Sequence, residues 1–344
     1  MAINSVNTSW NCSGNVDTMN GLTYGVEIEY TGASRDAVAA AIQSVVGGTV
    51  HRERSYDRRV VTAADGRKWN VVHDGSVHGS GWNEGGEIVS PVLRGMTGEG
   101  DDMEVLQNVI RAARRAGARR DSSAGIHVHV DGSAFTAPAI QRLFKLYYTN
   151  EELIKVMVAP NADRRASRFN ASRGWARPMN EGRSGDAAAR IMKLRRPTHD
   201  SICREYYRGE YDSRRPINCE ADAARGSDQY SPAGLGHYVD ARYRAINLHS
   251  FYFENRRSVE FRIFDTTLHA GRVKSYVQFC LALSARAINT KRARVGRKTE
   301  ATREAARLFT VKSGMSGDLF ATAREFMVRR SFNERDNGTP ASNC

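Results

Sequence analysis

Two segments far apart in the chain alternate apolar and charged residues with the two-residue period of a β-strand. They are residues 24–30, with the sequence YGVEIEY, and residues 258–264, with the sequence SVEFRIF. Successive side chains of a strand point to opposite faces, so the aromatic and aliphatic residues of each segment share one face. The opposite, charged faces carry Glu27 and Glu29 in the first segment and Glu260 and Arg262 in the second.

Two further segments have the same design, residues 85–91 (GGEIVSP) and residues 125–131 (GIHVHVD). The alternative is that all four are ordinary amphipathic strands with one solvated face, but such a face normally also carries Lys, Thr and Ser. Carboxylates opposite so apolar a face are rare unless a cation meets them. Several carboxylates beside one Arg therefore indicate a divalent metal together with phosphate. The polar positions of the two added segments are Glu87, His127, His129 and Asp131.

The order of these motifs along the chain resembles that of the amidoligase family, carboxylate–amine ligases related to glutamine synthetase and glutamate–cysteine ligase. The matching runs are GVEIEY, EIVSPVLRG, GIHVHVD, RYRAINL and SVEFRIFDTTLHAGRV, which extend over about residues 22–290. The resemblance implies an α+β fold with a glutamine-synthetase-like curved antiparallel sheet that carries the active site, and helices on its outer face. It also implies ATP and two or more Mg²⁺ ions, with Mn²⁺ as an alternative. The γ-phosphate passes to a substrate carboxylate, and an amine then displaces it to form an amide.

The resemblance assigns roles residue by residue. The residues that match the metal-binding positions of the family are Glu27, Glu29, Glu87, Glu260 and His129. Those that match ATP or phosphate contacts are His127, His129, Arg262 and, more loosely, the Arg-rich stretch with Arg164, Arg165 and Arg168. The residues expected to act in catalysis are Arg262, Glu260 and His129.

The residue types suit this chemistry. Mg²⁺ prefers oxygen ligands and keeps several waters, so a few Glu carboxylates and ATP phosphates complete its shell. The sequence contains no Walker loop, no dinucleotide fingerprint, no HExxH motif and no CxxC pair. The two His residues of the 125–131 segment are open to a zinc interpretation, but a zinc site would also be expected to have Cys or a third His nearby.

The composition of the chain bears on its cellular compartment and on its possible partners. The chain has 344 residues, a net charge of +13 and five Cys in no motif spacing, which favours a reducing cytoplasm. No signal peptide and no apolar run of membrane length is present. The excess of Lys and Arg is also typical of nucleic-acid binders, although no known DNA- or RNA-binding motif occurs.

The helical patterns and composition divide the chain into three parts. Residues 1–20 are polar and predict a flexible arm. Residues 21–292 form the catalytic domain, with helices starting at Ser34, Asp101 and Thr136 and a further helix over 271–290. Within it, an Arg-rich insertion at about 161–236 predicts long loops with short helices, interpreted as a mobile lid over the site. Residues 293–344 predict a helical, basic tail.

The sequence therefore predicts an ATP- and Mg²⁺-dependent ligase that joins a carboxylate substrate to an amine acceptor through an acyl phosphate. The acceptor is open among small molecules, peptides and cell-wall-like fragments. Two alternatives remain: a basic nucleic-acid-associated module on the same fold, and a metal-dependent hydrolase that uses the same carboxylates without ATP. No membrane association is expected, and the sequence is silent on the oligomeric state.

Overall fold

The centre of the molecule is an antiparallel β-sheet. The computed structural model describes residues 12–75, 77, 84–121, 124–159, 187–208, 240–253, 257–291 and 297–332. Eight strands of this described part form one sheet, in the order β2-β3-β4-β5-β1-β6-β8-β7, and every neighbouring pair is antiparallel. The strands are β1 (Tyr24–Ser34), β2 (Thr49–Glu53), β3 (Arg58–Thr62), β4 (Lys68–Val72), β5 (Glu84–Val89), β6 (Gly125–Asp131), β7 (Ile246–Asn247) and β8 (Ser258–Asp265).

Helices cover the apolar face of this sheet, which confirms the α+β class. They are α1 (Cys12–Gly21), α2 (Arg35–Val46), α3 (Asp102–Arg115), α4 (Ala137–Thr149), α5 (Glu151–Val158), α6 (Ala187–Lys193), α7 (His199–Tyr206), α8 (His249–Tyr252), α9 (Ala270–Asn289), α10 (Arg303–Lys312) and α11 (Ala321–Arg324), which runs on into a π-helical segment (Glu325–Arg330). α2 packs on α3, and α9 packs on α1, α3, α4 and strand β6. The glutamine-synthetase-like curvature of the sheet stays a prediction.

The strand alternation expected from the sequence is present. Tyr24, Val26, Ile28 and Tyr30 of β1 are all buried in the hydrophobic core. β1 lies between β5 and β6, so the strand with the two carboxylates is in the middle of the sheet.

The helix starts are also where the capping residues predict them. The side chains of Ser34, Asp101 and Thr136 each accept a hydrogen bond from a backbone N–H of the first turn of α2, α3 and α4. The helix that starts after Thr136 ends at Thr149, and a second helix begins at Glu151. Asn150 between them donates its side-chain amide to the carbonyl of Leu146.

The outer hairpin, β2 with β3, was not predicted, because its strands are short and charged. An ion-pair network fastens this hairpin to helix α2. Asp57 accepts hydrogen bonds from Arg35 at 2.6 Å, from Arg59 at 2.6 Å and from Arg52 at 2.6 Å. Arg59 also pairs with Asp36 at 2.6 Å. The guanidiniums of Arg35 and Arg59 are buried, and their charges are compensated within this network.

Residues 12–20 of the arm predicted for residues 1–20 lie in α1. This helix packs on α9, with Met19 buried and Asn289 donating to the carbonyl of Gly14 at 2.9 Å; residues 1–11 lie outside the described residues. At the other end, α10 and the helices after it pack on α5 and α9, with Phe309, Met327 and other residues in the core.

The described part of the Arg-rich insertion is residues 187–208, which form α6 and α7. α6 packs on α4, where Gln141 donates to the carbonyls of Ile191 and Leu194 at 2.9 and 2.7 Å. Cys203 in α7 is disulfide-bonded. Among the described helices, none combines the length and the apolar character needed to cross a membrane.

Candidate active site

Strand register brings the predicted polar residues of four separate segments onto one face of the sheet. Glu29 lies directly opposite Glu87 across β1 and β5. Glu27 lies opposite His127 across β1 and β6, and on the far side of β6 the next strand aligns Glu260 with His129. Like charges directly opposite in a sheet repel each other, so the Glu29–Glu87 pair is unfavourable when both carboxyls are ionised.

His127 is at the centre of this acidic face. Its Nδ1 is 3.2 Å from Oε2 of Glu27 and 3.7 Å from Oε1 of Glu260. Its Nε2, on the other edge of the ring, is 3.7 Å from Oε1 of Glu29. The imidazole therefore lies between two groups of carboxylates, one near each ring nitrogen.

Two candidate metal-binding groups follow from this arrangement. Their ligand atoms lie within 4.8 Å of one another in each group, and His127 belongs to both. Carboxylate oxygens dominate, which suits Mg²⁺ or Mn²⁺ better than zinc. Among the described residues, the groups are Glu27, His127 and Glu260, and Glu29, Glu87 and His127.

The other histidine of the motif has a more peripheral place. His129 directs its Nε2 to Oε1 of Glu27 at 3.4 Å, and its Nδ1 is 3.0 Å from the hydroxyl of Ser258. The sequence ranks His129 above His127 as a metal ligand, whereas the geometry favours His127, because His127 lies within reach of both carboxylate groups.

Glu260 is held from two sides. Arg262 donates from Nη1 to Oε1 of Glu260 at 2.6 Å, and the side-chain amide of Asn247 donates to Oε2 at 2.6 Å. Asn247 is itself fixed, since its Oδ1 accepts the backbone N–H of His249 at 2.7 Å. Arg262 also lies over the ring of Tyr243, 5.9 Å from its centroid. Both oxygens of Glu260 are thus oriented by donors.

Glu29 is fixed by the backbone of the next strand. Its Oε2 accepts the N–H of Gly125 at 2.5 Å, and its own carbonyl accepts the hydroxyl of Thr266 at 2.5 Å. Glu29 is only 5% exposed. This carboxylate is therefore placed by the strand ends around it, with its second oxygen turned towards His127.

Burial and neighbouring charge act in opposite directions on two of the carboxyls. Burial alone would raise the pKa of Glu27, but His129 and His127 outweigh it and hold the pKa well below the ordinary value. For Glu260, burial is likewise outweighed by Arg262, His129 and His127, so its pKa is lowered. Both groups are therefore anionic at neutral pH.

Glu87 behaves in the opposite way. Burial, together with the negative charges of Glu27 and Glu29, raises the pKa of Glu87 well above its ordinary value. The face thus has more carboxylate than its own His and Arg residues neutralise, and a bound cation would remove the repulsion.

The structure brings together every predicted site residue that it describes: Glu27, Glu29, Glu87, His127, His129, Glu260 and Arg262. Arg164, Arg165 and Arg168 lie outside the described residues. The sequence missed Asn247, Tyr243 and Ser258 as contacts of the site. Asn247 belongs to the run RYRAINL, but its strand has only two residues, too short for any periodic signal.

Comparison of the chain with known protein families identifies the family to which it belongs. A family model described as "Putative amidoligase enzyme" matches residues 20–284, a range that includes all four site strands. The chain therefore belongs to the amidoligase family, whose members act on carboxylate and amine substrates. A search of curated proteins and a search of solved structures both find no match.

Proposed function

We propose that the protein is an ATP- and Mg²⁺-dependent carboxylate–amine ligase that forms an amide bond through an acyl phosphate. One observation carries the proposal: four carboxylates surround His127 on one sheet face, with Arg262 at their edge. Family membership supports the same class of reaction.

The reaction balances without a nucleophile from the protein. An oxygen of the substrate carboxylate attacks the γ-phosphorus of ATP, and ADP leaves. The nitrogen of the amine then attacks the acyl carbon, phosphate leaves, and the proton of the amine passes to solvent. Such phosphoryl transfer depends on positioning and charge neutralisation, which an acidic, cation-binding face is suited to organise.

The residues present fit divalent metal ions. Glu27 and Glu260 would hold one ion and Glu29 and Glu87 another, with His127 available to either. Bound Mg²⁺ would supply the charge neutralisation that ATP phosphates require. The raised pKa of Glu87 supports this assignment, because burial and then the charges of Glu27, Glu29 and Asp74 disfavour its ionised form, which a bound cation would favour.

Arg262 would contact the phosphoryl group. Its planar guanidinium suits phosphate oxygens, and its side chain is still 12% exposed at the edge of the cluster. Glu260 and Tyr243 hold the guanidinium in place. Asn247 in turn keeps Glu260 from rotating away from Arg262.

The proposal is tested by release of ADP. The purified protein is incubated with ATP, Mg²⁺ and a matrix of carboxylates and amines, and we expect ADP release that requires one member of each class. Glu260→Gln should lower this rate by about 100-fold or more. Glu152→Gln is the matched control, because Glu152 is an exposed carboxylate that pairs with Lys155 on the surface of α5.

ADP release at the wild-type rate in Glu260→Gln would contradict the assignment of this face. Cleavage of an ester or a nucleic acid without any nucleotide would favour the hydrolase instead.

A further inference from the structure

A cavity with a basic lining lies beside the backbone pairing of Arg119 with Thr31 of β1. It has a volume of about 350 Å³ and lies where the end of α3 meets the start of α9. No carboxylate lines it among the described residues. Its lining includes Arg114, Arg119, Arg120, Thr267, Leu268 and His269.

The three arginines of this cavity lie on different parts of the fold. Arg114 belongs to the last turn of α3. Arg119 pairs through its backbone with Thr31 of β1, at 2.9 and 2.8 Å. Its side-chain stem packs over Gly32, where a Cβ would approach it within 3.1 Å at a backbone φ of +78°. The glycine thus leaves room for this arginine at the sheet end. Arg120 follows it into the same cavity.

The floor of the cavity is buried and polar on one side. Thr267 and Leu268 are 7% and 8% exposed, so the cavity is a recess and not a flat basic surface. The hydroxyl of Thr267 accepts the N–H of His269 at 3.2 Å. Helix α9, which has 20 residues, begins directly after His269. The first backbone N–H groups of a helix carry partial positive charge.

His269 adds a donor to this recess. Its Nδ1 accepts the backbone N–H of Arg272 at 3.3 Å, and this bond implies that a neutral ring carries its proton on Nε2. The ring packs edge-on against Phe326, with centroids 5.0 Å apart. Partial burial and then the charges of Arg272, Arg114 and Arg330 lower the pKa of His269.

We propose that this cavity binds a small phosphorylated molecule, with its phosphate group between the arginines and the start of α9. Guanidinium groups and helix N-termini both favour phosphate oxygens. The volume is at the lower end of the range of small-molecule sites, about 300–1,000 Å³, and therefore fits a phosphate monoester better than an extended polymer. The residues that line this cavity are not among those assigned to the proposed ligase site.

The test is isothermal titration calorimetry of the full chain with phenyl phosphate and with inorganic phosphate, at constant ionic strength. We expect saturable binding that weakens at least 10-fold in the double variant Arg114→Gln, Arg119→Gln. Both arginines are exposed, so the variant should fold normally. Arg307→Gln, an exposed arginine of α10, is the control and should bind as the wild type does.

Tighter binding of phenyl phosphate than of inorganic phosphate would support an organic phosphate as ligand, and equal binding would support recognition of the phosphate group alone. Unchanged affinity in the double variant would overturn the proposal, because the phosphate would then bind elsewhere. Absence of saturable binding would overturn it too.

Discussion

Replacement of Asp57 by Asn should destabilise the protein strongly. Asp57 is the common acceptor of Arg35, Arg52 and Arg59. The side chains of Arg35 and Arg59 are 1% and 3% exposed, so solvent cannot take over the role of the carboxylate. Asn keeps the shape of the side chain and tolerates the backbone φ of +44° at this position, so the change removes the charge with little backbone strain.

The size of the effect follows from the buried partners. Loss of one member of a buried ion pair costs about 3–5 kcal/mol, and Asp36 still compensates part of the charge of Arg59. We therefore expect a loss of roughly 2–4 kcal/mol in the free energy of unfolding. Asp65→Asn is the control, because Asp65 pairs at the surface with Arg67, and such pairs contribute about 0–1 kcal/mol.

The free energy of unfolding is measured by urea titration at several pH values. Arg35, and then Arg59 and Arg52, hold the pKa of Asp57 below its ordinary value. A lowered pKa in the folded state contributes stability that is fully present above the unfolded pKa of about 4 and is lost as the pH falls through the folded pKa. The gap between wild type and Asp57→Asn should thus stay constant from pH 5 to 8 and narrow below about pH 4. Equal, small losses in the Asp57 and Asp65 variants would refute the reasoning.

Three further predictions concern the site and the hairpin. Glu87→Gln should stabilise the metal-free protein against urea by roughly 1–2 kcal/mol, because it removes carboxylate repulsion, and should abolish stabilisation by Mg²⁺; a destabilised metal-free variant would contradict this. Asn247→Ala should weaken Mg²⁺ binding, measured by calorimetry, by about 10-fold or more, because Oε2 of Glu260 loses its orienting donor; unchanged affinity would count against the assignment of Glu260. Gly48→Ala should cost several kcal/mol in urea unfolding, since its Cβ would lie 1.9 Å from a carbonyl oxygen, whereas Gly66→Ala, also at positive φ but in open space, should cost only about 1 kcal/mol; equal losses would show that backbone strain alone decides.

The strands of the site could be predicted because each carries its own local evidence. In residues 24–30, buried apolar side chains alternate with Glu27 and Glu29, and the two-residue period places both carboxylates on one face whatever the rest of the fold. The motifs that contain Glu87 and Glu260 could be predicted from the same alternation of apolar and charged residues. The convergence of these segments depends on the strand order, which no single segment encodes, and here the family resemblance supplied the missing information.

The parts that sequence reasoning missed depend on tertiary contacts. The strand with Asn247 has two residues and exists only because β8 offers it a partner. The preference for His127 over His129 as a metal ligand depends on which carboxylates of the neighbouring strands lie beside each histidine. α1 is polar in sequence and acquires its place from packing on α9, so local composition made it resemble a loose arm.

The central claim is the transfer of phosphate to a substrate carboxylate, and an isotope experiment tests it most directly. A carboxylate that stimulates ADP release is labelled with ¹⁸O and incubated with the protein, ATP, Mg²⁺ and the amine, and the released phosphate is examined by mass spectrometry. Formation of an acyl phosphate followed by attack of the amine predicts one ¹⁸O atom in each phosphate, in step with amide formation. Phosphate without the label, formed at the rate of ADP release, would contradict the ligase mechanism and indicate hydrolysis of ATP by water.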